Sequence, residues 1–296
     1  MSTSLDGKKI IFIGNSFIFY GNAVLRQSCT ILTQKERTGN KGYFYQLCEC
    51  CGDEVEVTNW TFGGHTLGHI YKNECGCAKK ECYGKDHSSF LSDRYFDYVV
   101  ISAGSGDPSD KSFLEDIENI RRIFTEANPN VKLVYLSNLA PYGISTPGTP
   151  QPNILKNLKT LDAGGIPVAD WGSLIYKIMT GKTTVPGAKE TYEKNTFIVS
   201  RTEKDGFHEN ALSGYITSLM LYCLLTGKSA VGMPYSFWCD GSVSEEFDPE
   251  VYKRKYYCLE GARTNYTDVF NSPCDMLGLQ MLIDEELKNK PYLNFC

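Results

Sequence analysis

A serine at the end of an apolar run and a histidine three residues after an aspartate are the side chains in this sequence best placed to do chemistry. Ser16 follows Lys9-Ile-Ile-Phe-Ile13 and Gly14-Asn15. Where a buried strand hands over to a loop and helix, a hydroxyl is exposed at the carboxyl edge of the sheet, close to a positive helix end. A serine hydroxyl is a weak nucleophile until a neighbouring base takes its proton. His208 closes the segment Asp205-Gly206-Phe207-His208. An aspartate so placed can accept the Nδ1 proton of the imidazole, leaving Nε2 free to draw a proton from a serine. Taken singly, each motif has a commoner structural role, Ser16 capping a turn and Asp205 capping a helix beside an idle histidine. Together they point to a nucleophile and its base.

These residues need a scaffold that brings distant segments to one edge. Short β-branched runs alternate along the chain with helical patterns. Strands are expected at Lys9–Ile13, Val55–Trp60, Tyr98–Ser102, Lys132–Ser137 and Ile166–Asp170. Helices are expected over Ala23–Gln34, Phe113–Ala127, Asn153–Leu161, Leu174–Met179 and Glu209–Leu225, the last stopped by Gly227. Such alternation predicts a parallel sheet covered on both faces. The expected fold is a three-layer α/β/α sandwich of flavodoxin-like winding, with about five parallel strands. It spans residues 1–227. Residues 62–95 read as a long, cysteine-rich loop inserted in it. Residues 228–296, rich in Tyr, Phe and Trp, read as a C-terminal extension packed on the same domain, with a final helix near Asp275–Lys288.

Composition narrows the function classes. With 42% hydrophobic and 22% charged residues in 296, the chain is neither disordered nor fibrous. No stretch approaches the ~18 consecutive apolar residues of a membrane-spanning helix. The net charge of −5 and the absence of a polybasic run argue against nucleic acid or an anionic membrane as partner. No loop has the glycines and lysine of a phosphate cradle.

The pair of motifs also resembles a known family. Gly14-Asn15-Ser16-Phe17 is similar to the first block of the SGNH, or GDSL-like, hydrolases, with Asn in place of their Asp, and Asp205-Gly206-Phe207-His208 is similar to their last block. The likeness covers roughly residues 8–227. Leu212-Ser-Gly214-Tyr215 and Leu225-Thr-Gly227 extend it to a bacterial branch with little assigned chemistry. The resemblance implies the α/β/α sandwich already inferred and a serine esterase or deacylase, acting on a small acyl group of a carbohydrate or other ester. It assigns Ser16 as nucleophile, His208 as base and Asp205 as the group that orients it. It implies an oxyanion hole from the backbone N–H of Ser16 and of Gly64, in Phe62-Gly63-Gly64-His65-Thr66. The family's third donor is an asparagine after the third strand. Here Gly104-Ser105-Gly106-Asp107 puts glycine in its place. One such donor is typically worth ~10²–10³ in rate. Ser105, Ser102 or Asn59 can substitute, or the hole runs on two backbone donors. The alternative is a weak or inactive protein that binds glycans or serves as a scaffold, its aromatic tail stacking on sugars.

The remaining candidates carry less. Asn15, His65, Ser105 and Asn59 are expected near the substrate. His65 and His69 have a metal-like spacing, but the glycines around them disfavour the helix it needs. The sequence calls for no cofactor. Among the 12 cysteines, Cys75, Cys77 and Cys82 could hold a structural zinc, but they lack the usual Cys-x₂-Cys pairs, so idle thiols are the first reading, then zinc, then disulfides. So many cysteines in so long a chain fit a cytoplasmic protein with reduced thiols. No apolar leader precedes the first strand, though a trimmed leader would make the protein a secreted one. A small-molecule or glycan ester is the expected partner; oligomeric state is open.

Overall fold

Lys9–Gly14 forms β1, and its residues show why the sheet is parallel and central: Ile10, Ile11, Phe12 and Ile13 are all buried, alternating between two separate cores. A strand apolar on both faces needs helices on both sides. The computed structural model describes residues 3–19, 42–61, 64–72, 94–104, 108, 111–139, 142, 151–188, 192, 194–198, 208–239, 265–268, 273–288 and 290. After β1 the chain makes one helical turn, α1 (Ser16–Phe19). Then come α2 (Tyr43–Cys50), β2 (Glu56–Thr61), α3 (Leu67–Tyr71) and β3 (Tyr98–Ser102). The alternation continues with α4 (Phe113–Thr125), β4 (Lys132–Leu136), α5 (Pro152–Ala163), β5 (Val168–Ala169) and α6 (Trp171–Met179). α7 (Lys194–Phe197) precedes α8 (Ala211–Thr226), and β6 (Ser236–Cys239), β7 (Asn265–Asp268) and α9 (Pro273–Lys288) follow.

The five strands β1–β5 pair in the order β2-β1-β3-β4-β5, all parallel, the flavodoxin-like winding expected. β1 therefore lies between β2 and β3, with Gly14 opposite Thr61 on one side and Ser102 on the other. The order places the ends of β1, β2 and β3 side by side at the carboxyl edge, where ligands of such sheets bind.

One face of the sheet is covered by Phe113, Ile117, Ile120 and Phe124 of α4 with residues of α3 and α5. The other is covered by α2, α6 and α8, and it also takes in Phe237 of β6 and Met276, Leu279, Ile283 and Leu287 of α9. α8 is apolar around its whole circumference, from Tyr215 and Ile216 to Leu219, Met220 and Leu221. Such a helix must be buried on all sides. The C-terminal segment supplies the outer cover: the Phe237 ring lies 5.0 Å from that of Tyr43 and 5.8 Å from that of Tyr215, and Gln280 Nε2 donates to Tyr215 Oη at 3.0 Å and to the Met233 carbonyl at 2.7 Å.

At the opposite, amino edge, buried Asp53 ties the N-terminal segment to α8. It accepts from Ser4 Oγ (2.6 Å), the Leu5 N–H (3.0 Å) and Tyr222 Oη (2.8 Å), with Lys228 Nζ at 3.5 Å. Burial pushes its carboxyl upward, but these donors and the lysine outweigh burial and hold it below its ordinary value.

Several elements depart from expectation: α2 and α7 form where no helix was expected, and β5 is only Val168–Ala169. Residues 62–95 are not wholly a loop, because α3 forms within them. Its glycine is offset by a cap, Thr66 Oγ1 accepting from the His69 N–H at 3.2 Å. β6 and β7 form an antiparallel pair in a stretch without clear periodicity. The helix expected over 23–34 and the cysteines Cys75, Cys77 and Cys82 lie outside the described residues. Cys48, Cys50, Cys51, Cys223 and Cys274 are free thiols. Burial pushes the thiols of Cys48 and Cys223 upward, which keeps them protonated and unreactive. Among the described residues no three His, Cys, Asp or Glu are grouped to hold a metal, and no helix is long and apolar enough to cross a membrane.

Candidate active site

Ser16 stands where β1 ends, as the first residue of α1. The handover is fixed by Asn15, whose carbonyl accepts from the Ile18 N–H at 3.0 Å and whose side-chain Oδ1 accepts from the Phe17 N–H at 3.3 Å. Gly14 permits the approach of β1 to β3 at this level. A Cβ there would lie 2.1 Å from the Ser102 carbonyl oxygen and 2.8 Å from Ile18 Cδ1.

His208 arrives from the other end of the chain. It lies three residues before α8, whose first turn is pinned to α7. Asn210 caps α8 by accepting from the Ser213 N–H at 3.1 Å, and its Nδ2 donates to the Thr196 carbonyl at 2.7 Å. Its own N–H donates to the Phe197 carbonyl, which also accepts from Ser213 Oγ. Glu209, buried, pairs with Ile198 in an isolated antiparallel bridge. This lattice leaves the imidazole little freedom, and the ring is only 7% exposed. Phe17 packs against it, ring centroids 5.1 Å apart and planes tilted by 35°.

The two side chains meet. His208 Nε2 lies 2.7 Å from Ser16 Oγ, across 192 residues of sequence. With Nε2 unprotonated, the hydroxyl donates to the ring, the geometry a general base needs to take the proton as the oxygen attacks. Asp205, expected to orient the ring, lies outside the described residues.

The expected oxyanion donors are the backbone N–H groups of Ser16 and Gly64. Ser16 offers its own N–H. Gly64 follows β2 at φ +76°, a conformation that L side chains rarely adopt, and among the described residues no atom lies within 4 Å of where its Cβ would be. The glycine is thus required by backbone conformation, not by crowding from the protein. The next residue, His65, is anchored to the neighbour of Ser16: Asn15 Nδ2 donates to the His65 carbonyl at 3.0 Å. The His65 ring is buried, edge-on to His69 with centroids 6.3 Å apart, while His69 Nδ1 pairs with Thr66 Oγ1 at 2.9 Å.

The other residues read from sequence divide clearly. Asn15, expected beside the substrate, is 4% exposed, and both ends of its amide are engaged with the protein. Ser102, a substitute for the absent third donor, has a hydroxyl shut from solvent. Ser105 and the side chain of Asn59 lie outside what is described, although Asn59 itself sits within β2 opposite Phe12. Two contributors had no signal in the sequence. Asn138, buried just after β4, donates through Nδ2 to the Ala103 carbonyl at 3.1 Å and so holds the start of the loop after β3. Phe17 forms the wall of the imidazole.

No family model and no curated protein matches the chain. Among solved structures it is similar to a DUF4886 family protein from Bacteroides uniformis, with 15% identity, 95% of each chain covered and a TM-score of 0.52. It is also similar to a lipase/acylhydrolase from Enterococcus faecalis (20% identity, 74% of this chain and 96% of that one, TM-score 0.43). A family 3 carbohydrate esterase from Clostridium thermocellum is a further neighbour (13% identity, 73% and 93%, TM-score 0.41). At these identities the likeness is one of fold.

Proposed function

We propose that this protein is a serine hydrolase that cleaves a carboxylic ester, with a small acyl group on a carbohydrate as the substrate class that the motif resemblance suggests. The reading is carried by the 2.7 Å contact between His208 Nε2 and Ser16 Oγ at the carboxyl edge of the sheet. In the proposed cycle, Ser16 Oγ attacks the acyl carbon as its proton passes to His208 Nε2. The oxyanion is held by the N–H groups of Ser16 and Gly64. The tetrahedral intermediate collapses to an acyl-serine, and the leaving alcohol takes the proton from His208. Water then attacks the acyl-serine, with His208 again as base, and releases the acid. Asp205 is the proposed partner of the imidazole. No cofactor enters these steps.

The test is direct. Fluorophosphonate treatment followed by mass spectrometry is expected to locate the label on Ser16. Ser16→Ala and His208→Ala should each abolish turnover of p-nitrophenyl acetate. A Ser16→Ala variant with the parent rate would end the assignment. A glycan-binding or scaffold protein would show glycan binding without any such label.

A further inference from the structure

We propose that Asn15 is a positioning residue that sets the spacing between the two backbone donors of the oxyanion hole. This deepens the serine-hydrolase reading and rests on it. Asn15 directly precedes Ser16, yet it is buried, 4% exposed. Its amide bridges two segments that the sequence keeps 50 residues apart. On one side Nδ2 donates to the His65 carbonyl at 3.0 Å, in the peptide segment that carries Gly64. On the other Oδ1 accepts from the Phe17 N–H at 3.3 Å, in the turn that carries Ser16. One rigid planar group thus joins both halves of the hole.

The need for such a bond follows from the backbone. Gly64 sits at φ +76°, and among the described residues no atom lies within 4 Å of its Cβ position. β2 ends at Thr61, and α3 begins at Leu67. Between them, the Asn15 bond ties the segment to β1's own turn. Hydrogen-bond donors stabilise a developing oxyanion only when they lie within a few tenths of an ångström of their working positions.

The residue type matters as much as the place. An amide donates from its nitrogen to a carbonyl and accepts at its oxygen from an N–H, across one rigid planar group. An aspartate in the same shape could accept from Phe17, but its carboxylate oxygen would face the His65 carbonyl oxygen with no proton between them. The asparagine that departs from the Gly-Asp-Ser pattern is therefore the residue this contact demands.

The experiment compares Asn15→Asp and Asn15→Ala with the parent, using p-nitrophenyl acetate kinetics and the rate of fluorophosphonate labelling at Ser16. Asp53→Asn, at the far edge of the sheet, serves as a variant that lowers stability without touching the site. Both Asn15 variants should lose about 10- to 100-fold in kcat, with KM within about two-fold and labelling slowed in parallel. Asp53→Asn should keep the parent kcat. The proposal is overturned if Asn15→Asp keeps kcat within two-fold of the parent. It is equally overturned if KM rises while kcat holds, which would make Asn15 a substrate contact, or if neither variant folds, which would make the bond purely structural. If the parent protein takes no label at Ser16, the hydrolase reading itself has failed and this proposal with it. A labelled parent with unaffected Asn15 variants removes the present proposal alone.

Discussion

Gly14→Ala should separate the stability of the sheet from the geometry of its catalytic edge. The added methyl would sit 2.1 Å from the Ser102 carbonyl oxygen, about 1 Å inside the closest approach that real Cβ atoms make, and 2.8 Å from Ile18 Cδ1. Ile18 can rotate, but the carbonyl belongs to β3 and cannot retreat without parting the strands. Overpacking of this kind costs about 1–3 kcal/mol. The strain is applied two residues before Ser16, whose hydroxyl has only 0.8 Å of slack between its 2.7 Å contact with His208 and the 3.5 Å at which a hydrogen bond ceases to count. A shift of about 1 Å at the reacting atoms is worth ~10² in rate. Urea unfolding should therefore show a loss of about 1–3 kcal/mol, while kcat for p-nitrophenyl acetate falls about 100-fold in the fraction that remains folded. Because the offending atom is backbone, adding Ser102→Gly should rescue neither quantity. A Gly14→Ala protein with parental stability and kcat, or one rescued by Ser102→Gly, would refute the reasoning.

Two further variants probe the supports of the site and the far edge. Phe17→Leu keeps an apolar side chain but removes the ring packed 5.1 Å from His208. Aromatic pairs of this kind are worth about 0.5–1.5 kcal/mol, so kcat should drop about 3- to 10-fold with KM unchanged, and parental kinetics would show that the imidazole is held elsewhere. Asp53→Asn removes the charge that gathers Ser4, Leu5, Tyr222 and Lys228, and should cost about 2 kcal/mol near neutral pH by denaturant titration. The folded-state carboxyl is held below its ordinary value, so its contribution is complete above the unfolded value of about 3.9 and is lost as pH falls through the lower folded value. The parent should thus lose its advantage over Asp53→Asn between about pH 5 and pH 2; a constant difference across that range would refute the linkage.

How much was legible follows from what each element needs. β1, β3 and β4 announce themselves because strands covered on both faces must be apolar throughout, as Tyr98–Ser102 is. β5 shrinks to Val168–Ala169, since Pro167 before it supplies no N–H to the ladder. α2 was not expected, because its apolar face includes Cys48, which joins Tyr43, Phe44 and Leu47 in the core, a role that the residue type does not announce. Nor was α3, because Gly68 argues against a helix, and the Thr66 cap that offsets it is a matter of three-dimensional geometry. The Ser16–His208 pair was readable, since each residue sits in a short motif whose chemistry requires the other. The amide of Asn15 was not. Its partner is a backbone carbonyl, and backbone groups leave no mark on a sequence.

That difference shows how the candidate site is put together. Asn15, Ser16 and Phe17 are consecutive, yet they reach two distant parts of the chain: Asn15 the His65 carbonyl beyond β2, and Ser16 and Phe17 the Nε2 and the face of the His208 imidazole before α8. Three neighbours can diverge in this way only where a strand stops and the side-chain alternation of period two gives way to a helical turn. The parallel order β2-β1-β3 sets the end of β2 beside that turn, and the capped start of α8 delivers the histidine to it. The bonding of Asn15 to backbone on both sides means that the proposed oxyanion hole depends on the register of β1 against β2, Gly14 opposite Thr61. A change that slips or parts those strands should thus impair turnover before it unfolds the protein, even when every residue that touches the substrate is intact.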